Sequence, residues 1–312
     1  MQELVGLAIL LLIALGALTL LLVAMMIYVL THPPRRTAGY AVAKGMACDP
    51  GDLHLPFDSW TLDRPDGARL PVWEIDIKKA GRHEGTEARR EEANLTGILV
   101  HGWGQSRIEM LIGIELWFDL CDRLVLYDLR GHGEATGGSS RLGCNEDDDL
   151  IALLERLGQT RVVLVGRSMG AAITLATAAR QTSIRDRIAG VVVYAPYTDF
   201  HMTLCRRLRR DGNPSRPFTD LAMLFLKLRG RRQRTTTDDA QHLRCPLLVI
   251  HGNEDPIALI SDARKIAAAS PDAQLHVVSG AGHSHTELTE GESHDELVRA
   301  FVGRIVGTVD DG

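Results

Sequence analysis

Four short segments hold the side chains that could do chemistry, and each directly follows an apolar run. They read HGWG (101–104), GRSMG (166–170), HGNED (251–255) and GAGH (280–283). In chain order, the last three supply a hydroxyl, a carboxylate and an imidazole, on Ser168, Asp255 and His283. Groups of these types perform nucleophilic acyl transfer when a fold brings them together. A serine between glycines is also typical of a plain turn, so the surrounding elements must decide.

The apolar runs before these segments predict the elements that would position them. They are short, continuous and rich in Val, Leu and Ile, which is typical of parallel strands buried on both faces. Helical patterns alternate with them over residues 108–120, 146–157, 169–180, 257–269 and 293–306. We therefore predict a mostly parallel, doubly wound α/β sheet, preceded by a hairpin that turns at Asp66-Gly67. Ligands bind such sheets beyond the carboxyl ends of the strands, where the four segments lie.

The segment around Ser168 also resembles a family motif. It fits the pattern G-x-S-x-G, follows a predicted strand and opens an Ala-rich helix, as a nucleophile elbow requires. With the order serine, acid, histidine, this makes residues 53–306 similar to the α/β-hydrolase superfamily. The short HGWG loop, without a His-Gly-Gly-Gly run, resembles the lipase, esterase and serine-aminopeptidase-like branch. The resemblance implies the α/β-hydrolase fold, with Ser168 as the nucleophile rather than a turn residue.

The same resemblance implies a role for each matching residue. Ser168 would attack a carbonyl carbon, His283 would accept and return the proton, and Asp255 would orient the imidazole. The backbone N–H groups of Trp103 and Met169 would stabilise the oxyanion. Neither a metal nor an organic cofactor is implied.

Several residues compete for the roles of acid and base. Asp199 follows another predicted strand and is an alternative acid, but the Gly-Asn-Glu-Asp-Pro sequence around Asp255 matches the acid loop of the family better. Glu254 is expected to be a solvated neighbour. His285 lies two residues beyond the histidine loop GAGH, which ends at His283.

Other polar features favour structural roles. His101 and His251 precede glycines at strand ends and are expected to bond loop backbone. The stretch DLRGHG also resembles a family landmark, and it is expected to fix its loop through Asp128 and Arg130. The acidic run 147–149 could indicate a metal site, but acids are favoured at helix N-termini, which is the interpretation we prefer.

The beginning of the chain predicts a membrane helix. From Leu4 to Leu30 no residue is charged, and this run exceeds the about 20 apolar residues that cross a bilayer. A cleaved signal peptide is the alternative, but the run is long and no basic segment precedes it. Arg35 and Arg36 follow the span, so the positive-inside rule predicts a single-pass anchor with the catalytic domain in the cytoplasm.

The rest of the chain divides into a linker and a domain that contains an insertion. The predicted ranges are 1–31 for the anchor, 32–52 for the linker and 53–312 for the hydrolase domain, with a cap insertion at about 200–241. The insertion interrupts the strand–helix alternation and places many arginines around the apolar stretch LAMLFLKL. An insertion of this length is typical of a lid. Its basic face is either solvated or a surface that binds anionic lipid headgroups.

Composition narrows the class of function. The net charge of −5 gives no indication of nucleic-acid binding. The five cysteines form no CxxC pair, so neither a zinc site nor a disulfide framework is indicated. The hypothesis is a membrane-anchored serine hydrolase that cleaves carboxylic esters of small acyl or lipid-like substrates. Amide or peptide hydrolysis and acyl transfer on the same residues stay open, and a non-catalytic membrane-tethered binding module is the alternative from another class.

Overall fold

An eight-stranded sheet organises the computed structural model, which describes residues 1–80, 95–180, 182–231, 234–284 and 286–307. The strands are β1 (Phe57–Asp63), β2 (Arg69–Asp76), β3 (Leu95–Val100), β4 (Arg123–Tyr127), β5 (Arg161–Arg167), β6 (Ile188–Tyr194), β7 (Leu247–Gly252) and β8 (Ala273–Val278). Their order is β1-β2-β4-β3-β5-β6-β7-β8. The hairpin β1–β2 joins β4 in antiparallel fashion, and all other neighbours are parallel. The predicted, mostly parallel sheet is confirmed.

Ten α-helices accompany the sheet in the described part of the chain. They are α1 (Gln2–Thr31), α2 (Ala38–Lys44), α3 (Asp147–Arg156), α4 (Met169–Ala179), α5 (Phe200–Arg210), α6 (Phe218–Leu228), α7 (Thr236–Ala240), α8 (Ile260–Ala269), α9 (Thr286–Glu290) and α10 (Glu292–Gly307). Two 3₁₀ turns, Arg107–Leu111 and Ile114–Asp119, replace the single helix predicted over 108–120. Gly113 stands between them at a φ of 71°, which interrupts a helix.

The central strands are buried on both faces. On β5, Val162 and Leu164 pack into one hydrophobic core, whereas Val163 and Val165 pack into the core on the opposite face. Successive side chains of a strand point to opposite sides, so a strand between two cores must be apolar at every position. This explains why the continuous apolar runs predicted the sheet.

The loop after β4 is held by buried charges. Asp128 accepts hydrogen bonds from the backbone N–H groups of Arg107, at 2.8 Å, and Glu134, at 2.9 Å. Arg130 forms a buried ion pair with Asp149 of α3. The structural role predicted for Asp128 and Arg130 is confirmed. The acidic residues 147–149 at the start of α3 form ion pairs with arginine side chains.

The segment predicted as a linker has structure of its own. Ala38–Lys44 forms α2, whose Ala41 is buried in the core beside the sheet, and Gly45 ends this helix at a φ of 66°. Arg36 pairs with Glu109 of the 3₁₀ turn after β3. Residues 32–52 therefore pack against the domain instead of separating it from α1. With only 7 residues, α2 is too short to show a helical pattern in the sequence.

The insertion predicted at 200–241 is helical. Helices α5, α6 and α7 occupy it, and no strand occurs among its described residues. The end of α1 packs against α6 in a small apolar cluster that includes Leu30, Leu204 and Met223. Most of α1 before this contact is exposed, and the helix is long and apolar enough to cross a membrane.

We expect Arg130→Met to lower the free energy of unfolding by about 3 kcal/mol, because the buried Asp149 carboxylate then keeps only one of its two arginine partners, Arg64 at 2.9 Å. Only 4 % of the Arg130 side chain and 1 % of the Asp149 side chain are exposed. Arg69→Met is the matched control, since the Arg69–Asp63 pair is 64 % and 70 % exposed and should cost at most about 1 kcal/mol. Urea unfolding in detergent measures both, and equal losses would contradict the assignment.

Candidate active site

Ser168 occupies a strained turn between β5 and α4. Its φ is 51° and its ψ is −108°, a backbone conformation that residues other than glycine rarely adopt. A Cβ on Gly166 would lie 2.5 Å from the carbonyl oxygen of Gly170, and a Cβ on Gly170 would lie 2.2 Å from that of Val100. Both glycines are thus required by close backbone contacts. The turn lifts the half-buried Ser168 to the carboxyl edge of the sheet.

The loops after β7 and β8 are joined by backbone contacts. Glu254 N–H donates to the Ala281 carbonyl at 3.0 Å, and Asn253 N–H donates to that of Val278 at 3.0 Å. A Cβ on Gly252 would lie 2.2 Å from the Ala281 oxygen, so the close approach requires glycine there. This contact fixes the loop that carries Asp255 against the loop that carries His283.

Ser168, His283 and Asp255 form a continuous hydrogen-bonded series. The Ser168 Oγ lies 3.0 Å from His283 Nε2, and His283 Nδ1 lies 2.6 Å from Asp255 Oδ2. The side chain of Asp255 is fully buried, whereas that of His283 is 15 % exposed. Oδ1 of Asp255 accepts the backbone N–H groups of Ile257 and Ala258 at 2.8 and 3.0 Å. The carboxylate is therefore oriented before any ligand binds.

The backbone N–H groups predicted as oxyanion donors lie beside this series. Trp103 and Met169 both line the cavity that contains Ser168 and His283. Among the described residues, neither N–H has a hydrogen-bond acceptor. They are thus available to an oxygen of a bound ligand.

The competing acids and bases lie elsewhere or do other work. Asp199 is the N-cap of α5, where its side chain accepts the Met202 N–H at 2.7 Å. Glu254 is exposed, as expected. His285 lies outside the described residues.

His101 and His251 are buried and bond backbone, as predicted. His101 accepts the Leu129 N–H on Nε2 at 3.0 Å and bonds the Gly102 carbonyl through Nδ1 at 2.8 Å. Burial lowers the pKa of His101 to about 4, so the ring is neutral at pH 7. His251 bonds the Ala258 carbonyl at 2.8 Å, and burial lowers its pKa as well. Within the described ranges, no group of three metal-binding side chains is found.

Two cavities of different polarity meet at Ser168. The first, which we call the arginine recess, has a volume of about 300 Å³. Its charged lining residues are Arg36, Arg167, Arg207, Arg210 and Glu109. The second, which we call the apolar pocket, has a volume of about 270 Å³ and extends beneath cap helix α5. The site can therefore hold a ligand whose two sides differ in polarity.

Arg207 lines both cavities and was not predicted as a site residue. Its guanidinium lies over the Trp103 ring, 4.9 Å from the ring centroid. Burial, and next the charge of Arg210, lowers the pKa of Arg207. The run CRRLRR marked this segment as basic, but the orientation of α5 decides that Arg207 faces the site.

Comparison with known proteins identifies the class. Residues 98–300 match the sequence model of the Alpha/beta hydrolase family, and the chain belongs to this family. An esterase of Pyrococcus furiosus, Pf2001, has a similar solved structure, with a TM-score of 0.67 and 20 % identity over 88 % of this chain and 98 % of that one. At this identity the likeness shows the fold.

Two relatives are similar in sequence. The YqkD protein of Bacillus subtilis is 28 % identical over 218 residues, which cover 66 % of this chain and 70 % of YqkD. The lysophosphatidylserine lipase ABHD12 of Macaca fascicularis is 22 % identical over 222 residues, which cover 64 % of this chain and 52 % of the lipase.

We expect Gly252→Ala to separate Asp255 from His283, because the added methyl group meets the Ala281 carbonyl. Stability should fall by about 1–3 kcal/mol, as for overpacking. The downfield proton resonance of the Asp255–His283 hydrogen bond, measured by NMR, should disappear. Gly282→Ala is the control, since no atom lies within 4 Å of the position of its Cβ. A downfield resonance that persists in Gly252→Ala would contradict the proposed loop contact.

Proposed function

We propose that this chain is a membrane-anchored serine hydrolase that cleaves carboxylic esters through an acyl-enzyme. The observation that carries the proposal is the series Ser168–His283–Asp255, with its distances of 3.0 and 2.6 Å. These distances are within the reach of proton transfer. The esterase fold of the Pyrococcus furiosus structure supports the same reaction class.

The proposed reaction uses each of these groups in turn. Ser168 Oγ attacks the ester carbonyl carbon while its proton passes to Nε2 of His283, and Asp255 stabilises the resulting imidazolium. The N–H groups of Trp103 and Met169 donate to the oxyanion, and each such donor typically contributes about 10²–10³ in rate. His283 then protonates the departing alcohol as the carbon–oxygen bond breaks. Water, deprotonated by His283, then attacks the acyl carbon, and His283 returns the proton to Ser168 Oγ as the acyl–oxygen bond breaks and the carboxylic acid leaves.

The two cavities suggest where each part of the substrate lies. The apolar pocket is suited to the acyl chain, and the arginine recess is suited to a polar or anionic alcohol. A lipid-like ester has this division. The relative ABHD12 is a lysophosphatidylserine lipase, which supports a substrate of this kind.

We propose that α1 is a retained anchor and that the cap lies at the membrane surface. Helix α6 packs beside the end of α1. It exposes Leu221, Leu224, Phe225 and Leu228, by 40, 54, 40 and 79 %. Lys227 and Arg229 flank these residues and suit anionic headgroups. By the positive-inside rule, Arg35 and Arg36 then orient the domain, residues 53–312 with their cap, toward the cytoplasm.

We expect Ser168→Ala to abolish labelling by a fluorophosphonate probe and to lower p-nitrophenyl ester hydrolysis by at least about 10³-fold. Ser284→Ala is the matched control, because this exposed serine lines the arginine recess but is not part of the series Ser168–His283–Asp255. A parallel panel of aminoacyl amides tests the alternative bond type. Equal labelling of wild type and Ser168→Ala would refute the nucleophile, and faster amide cleavage would favour the peptidase alternative.

We expect a tryptophan at position 224 to enter the lipid boundary. In vesicles that contain anionic brominated lipid, Leu224→Trp should show stronger fluorescence quenching, above the wild-type background, than Val277→Trp on edge strand β8. Both positions are partly exposed, by 54 and 38 %. Equal quenching of the two variants would contradict membrane contact of the cap, but it would leave the hydrolase assignment intact.

A further inference from the structure

Four separate parts of the chain contribute apolar side chains to the wall of the apolar pocket. Its apolar lining residues are Val29 and Leu30 of α1, Phe200, Leu204 and Leu208 of α5, and Met169 and Ile257 beside the sheet edge. Ser168 and His283 lie at the same cavity. The end of the membrane helix thus borders the space next to the proposed nucleophile.

The end of α1 is bound to the loops that form the site. The indole N–H of Trp103 donates to the Leu30 carbonyl at 2.9 Å, and Ser140 N–H donates to the Thr31 carbonyl at 2.9 Å. Carbonyls in the last turn of a helix lack partners within the helix, so these two bonds satisfy groups that the helix itself leaves open. Leu30 is only 6 % exposed. The helix end is therefore held as a part of the catalytic domain.

The length of α1 allows its first part to cross a bilayer while its end packs against the domain. Its 30 residues extend for about 45 Å at about 1.5 Å per residue, whereas the hydrocarbon core of a bilayer measures about 30 Å. Roughly ten residues then remain beyond the hydrocarbon. Val23 is the first buried residue of α1, so the segment that packs against the domain is of this size. The apolar pocket consequently lies next to the bilayer boundary.

We infer that the end of α1 is a substrate-binding element, in which Val29 and Leu30 contact the alkyl chain of the acyl group attached to Ser168. The ligand is a long-chain acyl ester that reaches the pocket from the bilayer along the apolar surface of the helix. This inference rests on the proposed function and adds to it: the anchor selects the acyl chain as well as holding the enzyme at the membrane. Val29 is 47 % exposed, so its side chain is accessible to such a ligand.

A pair of tryptophan variants tests the inference by kinetics. Val29→Trp fills the pocket, whereas Leu21→Trp places the same side chain on an exposed part of the same helix. For p-nitrophenyl esters from acetate to decanoate, Val29→Trp should lower the ratio of kcat/KM for decanoate to that for acetate by about tenfold. This change corresponds to two methylene groups of the acyl chain that the pocket can no longer bury. Leu21→Trp should keep the wild-type ratio. An unchanged ratio in Val29→Trp, with Ser168 still labelled by the fluorophosphonate, overturns the inference.

A cross-linking experiment on the unaltered chain avoids any effect of substitution on folding. A fluorophosphonate with a long alkyl chain that ends in a diazirine is attached to Ser168 and then photolysed. Peptide mapping should find cross-links at Val29 or Leu30. Cross-links confined to the arginine recess, or to cap residues with none on α1, overturn the inference. Failure of the probe to label Ser168 would instead refute the proposed function, so the two failures are distinguishable.

Discussion

Close backbone contact at the carboxyl edge of the sheet is the constraint on which the site depends. At Gly166, Gly170 and Gly252, a Cβ would lie 2.2–2.5 Å from a carbonyl oxygen of a neighbouring segment. Since real Cβ atoms do not come so close, only glycine allows these segments to touch. The first two contacts raise Ser168 above the sheet, and the third joins the loops of Asp255 and His283. Residues separated by more than a hundred positions can therefore meet at hydrogen-bond distance.

A second layer of buried charges holds the loop that contains Trp103. Glu109 accepts the backbone N–H and the hydroxyl group of Ser106, and it also pairs with Arg36 from the segment after α1. Asp128 accepts the N–H of Arg107, and burial raises the pKa of this carboxyl group. These groups orient the first loop of the site and connect it to the segment that follows α1. The proposed oxyanion donor and the proposed anchor thus share one set of supports.

Helix α1, which we propose as the anchor, forms one structural unit with the cap and the site. Helix α1 packs against α6, and the Leu30 carbonyl in its last turn accepts the indole N–H of Trp103. Helix α5 covers the apolar pocket and contributes Arg207 to the arginine recess. This arrangement supports the proposal of an ester substrate that is partly embedded in a bilayer. The alkyl chain of such a substrate would lie toward α1 and α5, and its polar part would lie in the arginine recess.

The sequence by itself determined the sheet, the elbow at Ser168 and the positions of Asp255 and His283, because each rests on a local pattern. Continuous apolar runs specify buried parallel strands, and Gly166, Gly170 and Gly252 are required because a Cβ there would meet a neighbouring carbonyl oxygen. The packed segment 32–52, the two 3₁₀ turns after β3 and the orientation of Arg207 have no such local pattern. They depend on which surface each short element meets after folding. Val29 and Leu30 belong to an apolar run that predicts only a membrane helix. Their place at the site depends on tertiary structure, because contacts with Trp103 and α5 bring them there.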